Sequence, residues 1–383
     1  MPDPNYKLFD LKISTITPLH IGTGRELLRD YDYDVAGKRT WVIDQAALLD
    51  AQNVDDPKVA AQLAETPPAE LLEDKDFVEG NRFFRYVIRG EPRSDQEGAV
   101  IQEQFKDVYD QPYLPGSSLK GALRTALGWH VWKEKDLEPD VEKLMDPRKG
   151  QPYPGRFAAT NYEHDVFGKE ANKTKNDFLR ALHVSDSKPL PPSCLLLLNV
   201  RVINPGTSTK PASDIPVELE AIRPDTTFET SLKLDLALFS QWAQRYGLHL
   251  SGREWLTDLP RIANTHARDQ IVREAKWFRH LPGGNRVAEF YERLEQTPLD
   301  GQRFFLRLGW GTGWENKTFG SRLQADEDFM NYIVSYYRMK KGNGEMGDAF
   351  PASRRASVRV KGEAGEEIGA PLGWVLVEMQ ERV

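Results

Sequence analysis

The chain has one cysteine in 383 residues, Cys194, which excludes an internal disulfide and any zinc site built from several thiolates. Long apolar runs are also missing. The longest, Cys194 to Leu198, is far too short to span a bilayer, and no basic segment leads into an apolar stretch as in a signal peptide. A cytoplasmic protein without membrane association is therefore expected. Positive charge is in deficit: 51 Lys and Arg against 58 Asp and Glu give a net charge of −7, which argues against indiscriminate nucleic-acid binding. The seven histidines show no spacing with carboxylates that would build a zinc site, and no nucleophile-elbow sequence supports Ser-His-Asp catalysis. No metal or cofactor is called for. At 39% hydrophobic and 28% charged residues, usage is that of an ordinary globular protein.

What the chain does have is the segment Tyr113 to Leu127, Tyr-Leu-Pro-Gly-Ser-Ser-Leu-Lys-Gly-Ala-Leu-Arg-Thr-Ala-Leu. Pro115 and Gly116 stop an extended run, Ser117 or Ser118 is placed to cap a helix, and Leu119, Ala122, Leu123 and Ala126 form its apolar stripe. Lys120 and Arg124 stand four apart on one face. Free backbone N–H groups at a helix start, followed by two cations, make a phosphate-holding device. It is not a nucleotide P-loop, because Lys120 follows Leu119 and precedes Gly121.

Two more segments belong beside it. Thr17-Pro-Leu-His-Ile-Gly-Thr-Gly24 follows a strand, and its glycines Gly22 and Gly24 permit close approach of backbone to a ligand next to His20. Gly309 to Gly320 (Gly-Trp-Gly-Thr-Gly-Trp-Glu-Asn-Lys-Thr-Phe-Gly) combines Gly311 and Gly313, which let main-chain N–H groups reach phosphates, with Lys317, Thr318 and the following Arg322. Trp310 or Trp314 would stack on an unpaired base, or anchor the turn in the core. Between Arg303 and Arg359 there are ten Lys or Arg and six Asp or Glu, a local positive excess in an acidic chain. Arg354 and Arg355, beside a polar loop at Lys341 to Gly347, are a secondary basic contact.

Alternation predicts strands at Tyr6–Ile16, Arg39–Ile43 and Asn81–Arg89, with small helices over Asp44–Leu72 and a helix over Asp95–Val108. Trp129–Arg180 reads as helical with polar loops, Lys169–Asn176 among them. Strands resume as an antiparallel set at Ala181–Asp186, Leu195–Ile203, Val217–Arg223 and Thr226–Leu234, with a hairpin tip at Asn204–Ala212. Helices are expected at Leu236–Leu250, Ile262–Arg279 and Val287–Leu294 before a strand at Arg303–Leu308. The shift from strand-rich to helix-rich sequence places a domain boundary near residue 235. Residues 1–235 would then form an α+β domain with helical insertions at about 44–112 and 129–180, and 236–383 a helix-rich domain carrying the glycine-rich loop.

Together the three segments resemble the RAMP superfamily of CRISPR RNA-binding proteins. The run Ile215-Pro-Val-Glu-Leu-Glu-Ala-Ile-Arg-Pro224, the pair Phe350-Pro-Ala-Ser-Arg-Arg355 and Pro371-Leu-Gly-Trp374, and the length are similar to the fifth subunit of type III-A (Csm) effector complexes. The resemblance implies an α+β, ferredoxin-like (RRM-like) core with a glycine-rich loop, and it leaves room for a second RAMP-like domain. It implies an RNA-binding structural subunit that caps the 3′ end of the CRISPR RNA. Its partners would be the CRISPR RNA, backbone RAMP subunits and the small helical subunit, with target RNA and host nucleases as further candidates.

Two alternatives stand beside that reading. Asp30, Asp32 and Asp34 alternate, so in an extended strand they would share a face and hold Mg²⁺ for a ribonuclease, with His20 as general acid or base. In the backbone subunit the resemblance implies a cutting aspartate shortly before the Pro-Gly-Ser-Ser motif, whereas here about eighty residues intervene. The other alternative is an adaptor whose acidic surface recruits nucleases for guide maturation.

Overall fold

The Lys7–Thr15 strand buries Phe9, Leu11 and Ile13 and exposes Asp10 and Lys12, so its period-two pattern fixes which face meets the core. The structure is a computed structural model that describes residues 5–53, 55–94, 96, 98–168, 175–205, 217–339, 350–360 and 366–382. Most of the loop expected at 169–176 and of the hairpin tip at 204–212, and all of the polar loop at 341–347, lie outside the described residues.

The fold is mixed α+β. Its first sheet is antiparallel, in the order Arg303–Arg307, Trp374–Glu381, Lys7–Thr15, Thr227–Leu234, Leu182–Val184. Two long helices, Gly116–Glu134 and Leu259–Arg279, pack on one another and on strands of this sheet. Leu119, Leu123 and Leu127 of the first helix join Leu11, Ile13, Phe228 and Val377 of the sheet in one core. On the opposite sheet face the Lys7–Thr15 and Thr227–Leu234 strands carry charges: Asp10 pairs with Arg382, and Glu229 with Lys188. Phe305 and Trp374 also lie on that face, toward the Arg303–Arg307 edge, but both are buried in a second cluster with Phe278 and Tyr291 and offer no open ring of the kind by which a sheet face reads single-stranded RNA.

Chain order here is strand, helix, strand, strand, helix, strand, with Arg303–Arg307 added at the edge. Strands from both sides of residue 235 share this sheet, so a boundary there would cut through its ladder. A second sheet runs Gly22–Leu28, Val100–Gln104, Val217–Ile222, Leu195–Ile203, Phe84–Arg89, Arg39–Ile43, Tyr33–Ala36, with Arg354–Val360 also pairing to Leu195–Ile203. The strands expected as one antiparallel set are thus divided between two sheets.

Several local expectations are corrected. Within the span expected as a helix from Asp95 to Val108, Val100–Gln104 is a strand, because Ile101 and Gln104 are buried in a ladder against Gly22–Leu28. Leu236–Leu250 holds only a 3₁₀ turn and the short helix Gln241–Arg245. Neither Ser117 nor Ser118 caps the long helix, which begins at Gly116 behind Pro115. Trp374–Glu381, not anticipated as a strand, lies inside the first sheet.

Beneath the glycine-rich loop sits Glu274, 3% exposed, which accepts from Arg307 at 3.1 Å and from Arg354 at 2.5 Å. The two guanidiniums hold its carboxyl below the usual range despite the opposing effect of burial. Glu274→Ala would leave two cations without their buried counter-charge and is expected to lower stability by about 3–5 kcal/mol in urea denaturation. A loss below about 1 kcal/mol would show that the triad contributes little net stability.

Candidate nucleic-acid interface

The three sequence segments, separated by up to three hundred residues, line one groove of about 1040 Å³. One wall is the turn carrying His20, Gly22 and Gly24, a second is the helix face with Ser118, Gly121, Ala122 and Arg124, and the third is the Gly309–Phe319 loop. The turn and the loop are joined directly. Trp310 N–H donates to the His20 carbonyl at 2.7 Å, and a Cβ at Gly309 would lie 2.4 Å from that oxygen. Gly309, Gly311 and Gly313 have φ of +86°, +80° and +85°, a conformation that L side chains rarely adopt, so the loop's path depends on them.

The cations on these walls have different commitments. Lys120 Nζ donates to the carbonyls of Leu179 and Leu182 at 2.9 and 2.7 Å, and burial pushes its pKa down. Its ammonium holds the chain's own backbone. Arg124 pairs with Glu163 at 3.0 Å and Asp177 at 3.3 Å and lies 3.6 Å from the centre of the Phe167 ring. Gly116 N–H, at the helix start, donates to Asp186 at 2.7 Å, and the backbone of Val184 and Ser185 lies against Gly116. The helix N-terminus expected to meet a phosphate therefore already meets a carboxylate.

Arg354 is drawn into the Glu274 triad, and Arg322 lies over the Trp129 ring with its centre 3.7 Å away. Thr318 accepts from Gly320 N–H and donates to the Trp314 carbonyl, which shapes the loop. Ser117 is exposed just outside the groove.

Two cations remain uncommitted. Lys317 lines the groove with no ion pair among the described residues, and desolvation together with the nearby Arg355 lowers its pKa. Arg355, exposed, sits over the Trp310 ring at 5.0 Å and likewise has no carboxylate partner among the described residues. Trp310 is half-buried, packs against the cluster of Val200, Leu219, Ala221 and Leu372 and meets His20 edge to face, while Trp314 packs on the larger core and against Phe350.

His20 is 2% exposed, and its Nδ1 donates to the Glu220 carbonyl at 2.6 Å. Burial is the main cause holding its pKa at about 4; the Glu220 bond opposes the shift and Lys106 adds to it. The imidazole is neutral at pH 7. Below it, the Glu220 carboxylate accepts from Tyr86 at 2.8 Å, Gln104 N–H at 2.8 Å and Lys106 at 2.5 Å. Gln104 in turn accepts from Ile21 N–H at 3.0 Å.

The carboxylates Asp30, Asp32 and Asp34 do not share a face. Asp30 takes a φ of +70°, and residues 30–32 form a turn between two strands. Asp32 accepts from Leu28 N–H at 2.8 Å and from Gln45 at 3.1 Å, and Asp34 from Val35 N–H. Among the described residues no three His, Cys, Asp or Glu side chains gather as metal ligands.

Comparison with known proteins bears on this arrangement. A profile of the RAMP superfamily matches residues 12–316, well over half of the chain. The chain belongs to the RAMP superfamily. Among RAMP proteins it is similar to the CRISPR system protein Csm5 of Methanocaldococcus jannaschii, 25% identical over 97% of this chain and 89% of that one. It is also 26% identical to Csm5 of Streptococcus thermophilus over 59% of this chain, a match spanning 63% of that protein's length.

A chain in a solved Csm–crRNA–target RNA ternary complex of a type III-A CRISPR-Cas system superposes with a TM-score of 0.70 at 25% identity, covering 97% of this chain and all of that one. The crystal structure of Csm5 from T. onnurineus shares the fold at a TM-score of 0.62 and 22% identity, covering 95% and 99%. The likeness to the fifth Csm subunit read from the sequence is borne out. Among the described residues no helix is long and apolar enough to cross a membrane.

The supporting residues of this RAMP groove escaped the sequence reading. Glu220 and Gln104 brace the His20 turn, and Asp186, Glu163 and Asp177 occupy the helix. Only Glu218 and Glu220, charges inside an otherwise apolar run, gave a signal.

Because folding depresses the His20 pKa from about 6.5 to about 4, the unfolded chain binds the proton more readily between those values. Stability from this group is complete above about pH 6.5 and is lost as pH falls toward 4, by up to about 3 kcal/mol. His20→Asn, whose amide can still donate to Glu220, should therefore lose less stability than wild type on acidification from pH 7 to 4.5. Parallel pH profiles would assign the acid lability elsewhere.

Proposed function

We propose that this chain is a guide-RNA-binding structural subunit of a type III-A CRISPR interference complex. In this reading it holds the 3′ region of the CRISPR RNA, ends the backbone filament against the last backbone RAMP subunit and the small helical subunit, and works in the cytoplasm. One observation carries it: three distant segments build a single groove whose rim presents Lys317 and Arg355, cations with no ion pair among the described residues, beside the face of Trp310. Similarity to Csm5 proteins and to a chain of a Csm–crRNA–target RNA complex supports the same choice.

We read the first sheet and its two helices as a ferredoxin-like (RRM-like) core with one added edge strand. RNA would lie along the glycine-rich edge of that core, away from the charged sheet face. The uncommitted cations supply phosphate contacts, open glycines such as Gly24 and Gly313 let the backbone come close, and Trp310 supplies a stacking surface. Lys120 and Arg124 act one step back, by holding the helix that forms the groove wall. No chemistry on the RNA is assigned, since the Asp30 turn and the neutral His20 offer no metal-held water and no protonated acid.

Salt titration of RNA binding by the full chain tests this. With Lys317→Ala and Arg355→Ala combined, affinity should fall and the slope of log K against log salt should flatten by about 1.4, two single-strand phosphate contacts. The RNA should be recovered uncut after incubation with Mg²⁺. Lys120→Ala should lower thermal stability and leave the slope as in wild type. An unchanged slope in the Lys317/Arg355 variant would remove the groove rim as the RNA contact.

A further inference from the structure

His20 is nearly closed off from water yet lines the groove, and among the described residues nothing is bonded to one of its ring nitrogens. The Glu220 carbonyl has only lone pairs to offer, so the 2.6 Å contact requires that Nδ1 carry the proton. In the neutral ring Nε2 is then a bare acceptor. Among the described residues no group donates to it. Space beside it is kept by Gly22, where a Cβ would stand 2.9 Å from Nε2. Gly22 lacks a positive φ, so its backbone conformation does not require glycine.

An acceptor fixed in this way cannot receive a phosphate, which has no hydrogen to give near neutral pH. It calls for a donor. A strand whose phosphates lie along Lys317 and Arg355 carries one such donor regularly along its backbone, the ribose 2′-hydroxyl. We infer that His20 accepts a hydrogen bond at Nε2 from a ribose 2′-hydroxyl and thereby makes the groove select RNA over DNA.

The inference rests on the RNA-binding reading above and adds to it the group that tells the two nucleic acids apart. The tautomer is imposed from behind, by a carbonyl on the Val217–Ile222 strand whose own side chain is locked by Tyr86, Gln104 and Lys106. Ring rotation would break that bond, so the acceptor direction is built into the fold.

The test compares a uridine-containing RNA with the same sequence made of 2′-deoxy nucleotides, deoxyuridine included, so that every base donor is kept. Full-length wild type should prefer the RNA by about fivefold per hydrogen bond of this kind. In His20→Asn, whose amide nitrogen keeps the donation to Glu220 and whose oxygen does not reach the Nε2 position, the preference should fall toward one. Gly22→Ala keeps the histidine but sets a methyl against Nε2, and should lower the preference in the same way. Single 2′-deoxy substitutions along the RNA should locate one position whose penalty disappears in both variants. An RNA preference unchanged in a folded Gly22→Ala protein would overturn the role of His20. Loss of a preference that tracks a base change and not the sugar would overturn it too, in favour of a base donor. Wild type that binds neither oligonucleotide would overturn the RNA-binding reading, and this inference with it.

Discussion

The hydrogen bond from Trp310 N–H to the His20 carbonyl is the joint on which the candidate interface depends. It closes a turn near the start of the chain onto a loop nearly three hundred residues later, and it forms only because Gly309 has no side chain to collide with that carbonyl. From this joint the groove opens on one side toward the helix that begins at Gly116 and on the other toward Arg355. Two buried carboxylates keep its sides from drifting. Glu220 braces the His20 turn through Gln104, Lys106 and Tyr86, while Glu274 binds Arg307 and Arg354 beneath the loop.

Charge is partitioned accordingly. In a chain of net charge −7, most cations around the groove are consumed by the fold: Lys120 by backbone carbonyls, Arg124 by two carboxylates, Arg354 by Glu274. Lys317 and Arg355 remain at the rim. An acidic protein in which few cations stand without an ion pair among the described residues would bind nucleic acid only where shape places the strand against them, in keeping with the role proposed above.

Much of the groove was legible in the sequence because glycines and short polar loops between apolar runs mark places where backbone must turn or approach a ligand. The three segments were found on that ground, and they do converge. What the sequence concealed was partnership. Lys120 and Arg124 read as free cations because Leu179, Leu182, Asp177 and Glu163 are far along the chain and carry no local signal. The Asp30, Asp32 and Asp34 alternation resembled a strand, but Asp30 is at φ +70° and turns the chain. Trp374–Glu381 was missed as a strand because it is buried alongside Lys7–Thr15 and forms only through pairing across the whole length of the protein.

The most direct test of the central claim is to cross-link a CRISPR RNA bearing 4-thiouridine near its 3′ end to the full chain within its complex and map the adducts by mass spectrometry. The account predicts adducts on Trp310 and its neighbours between Gly309 and Lys317, with the 17–24 turn as the second site. Adducts confined to the charged outer face of the first sheet, around Lys12 and Glu229, with none in the groove, would contradict it.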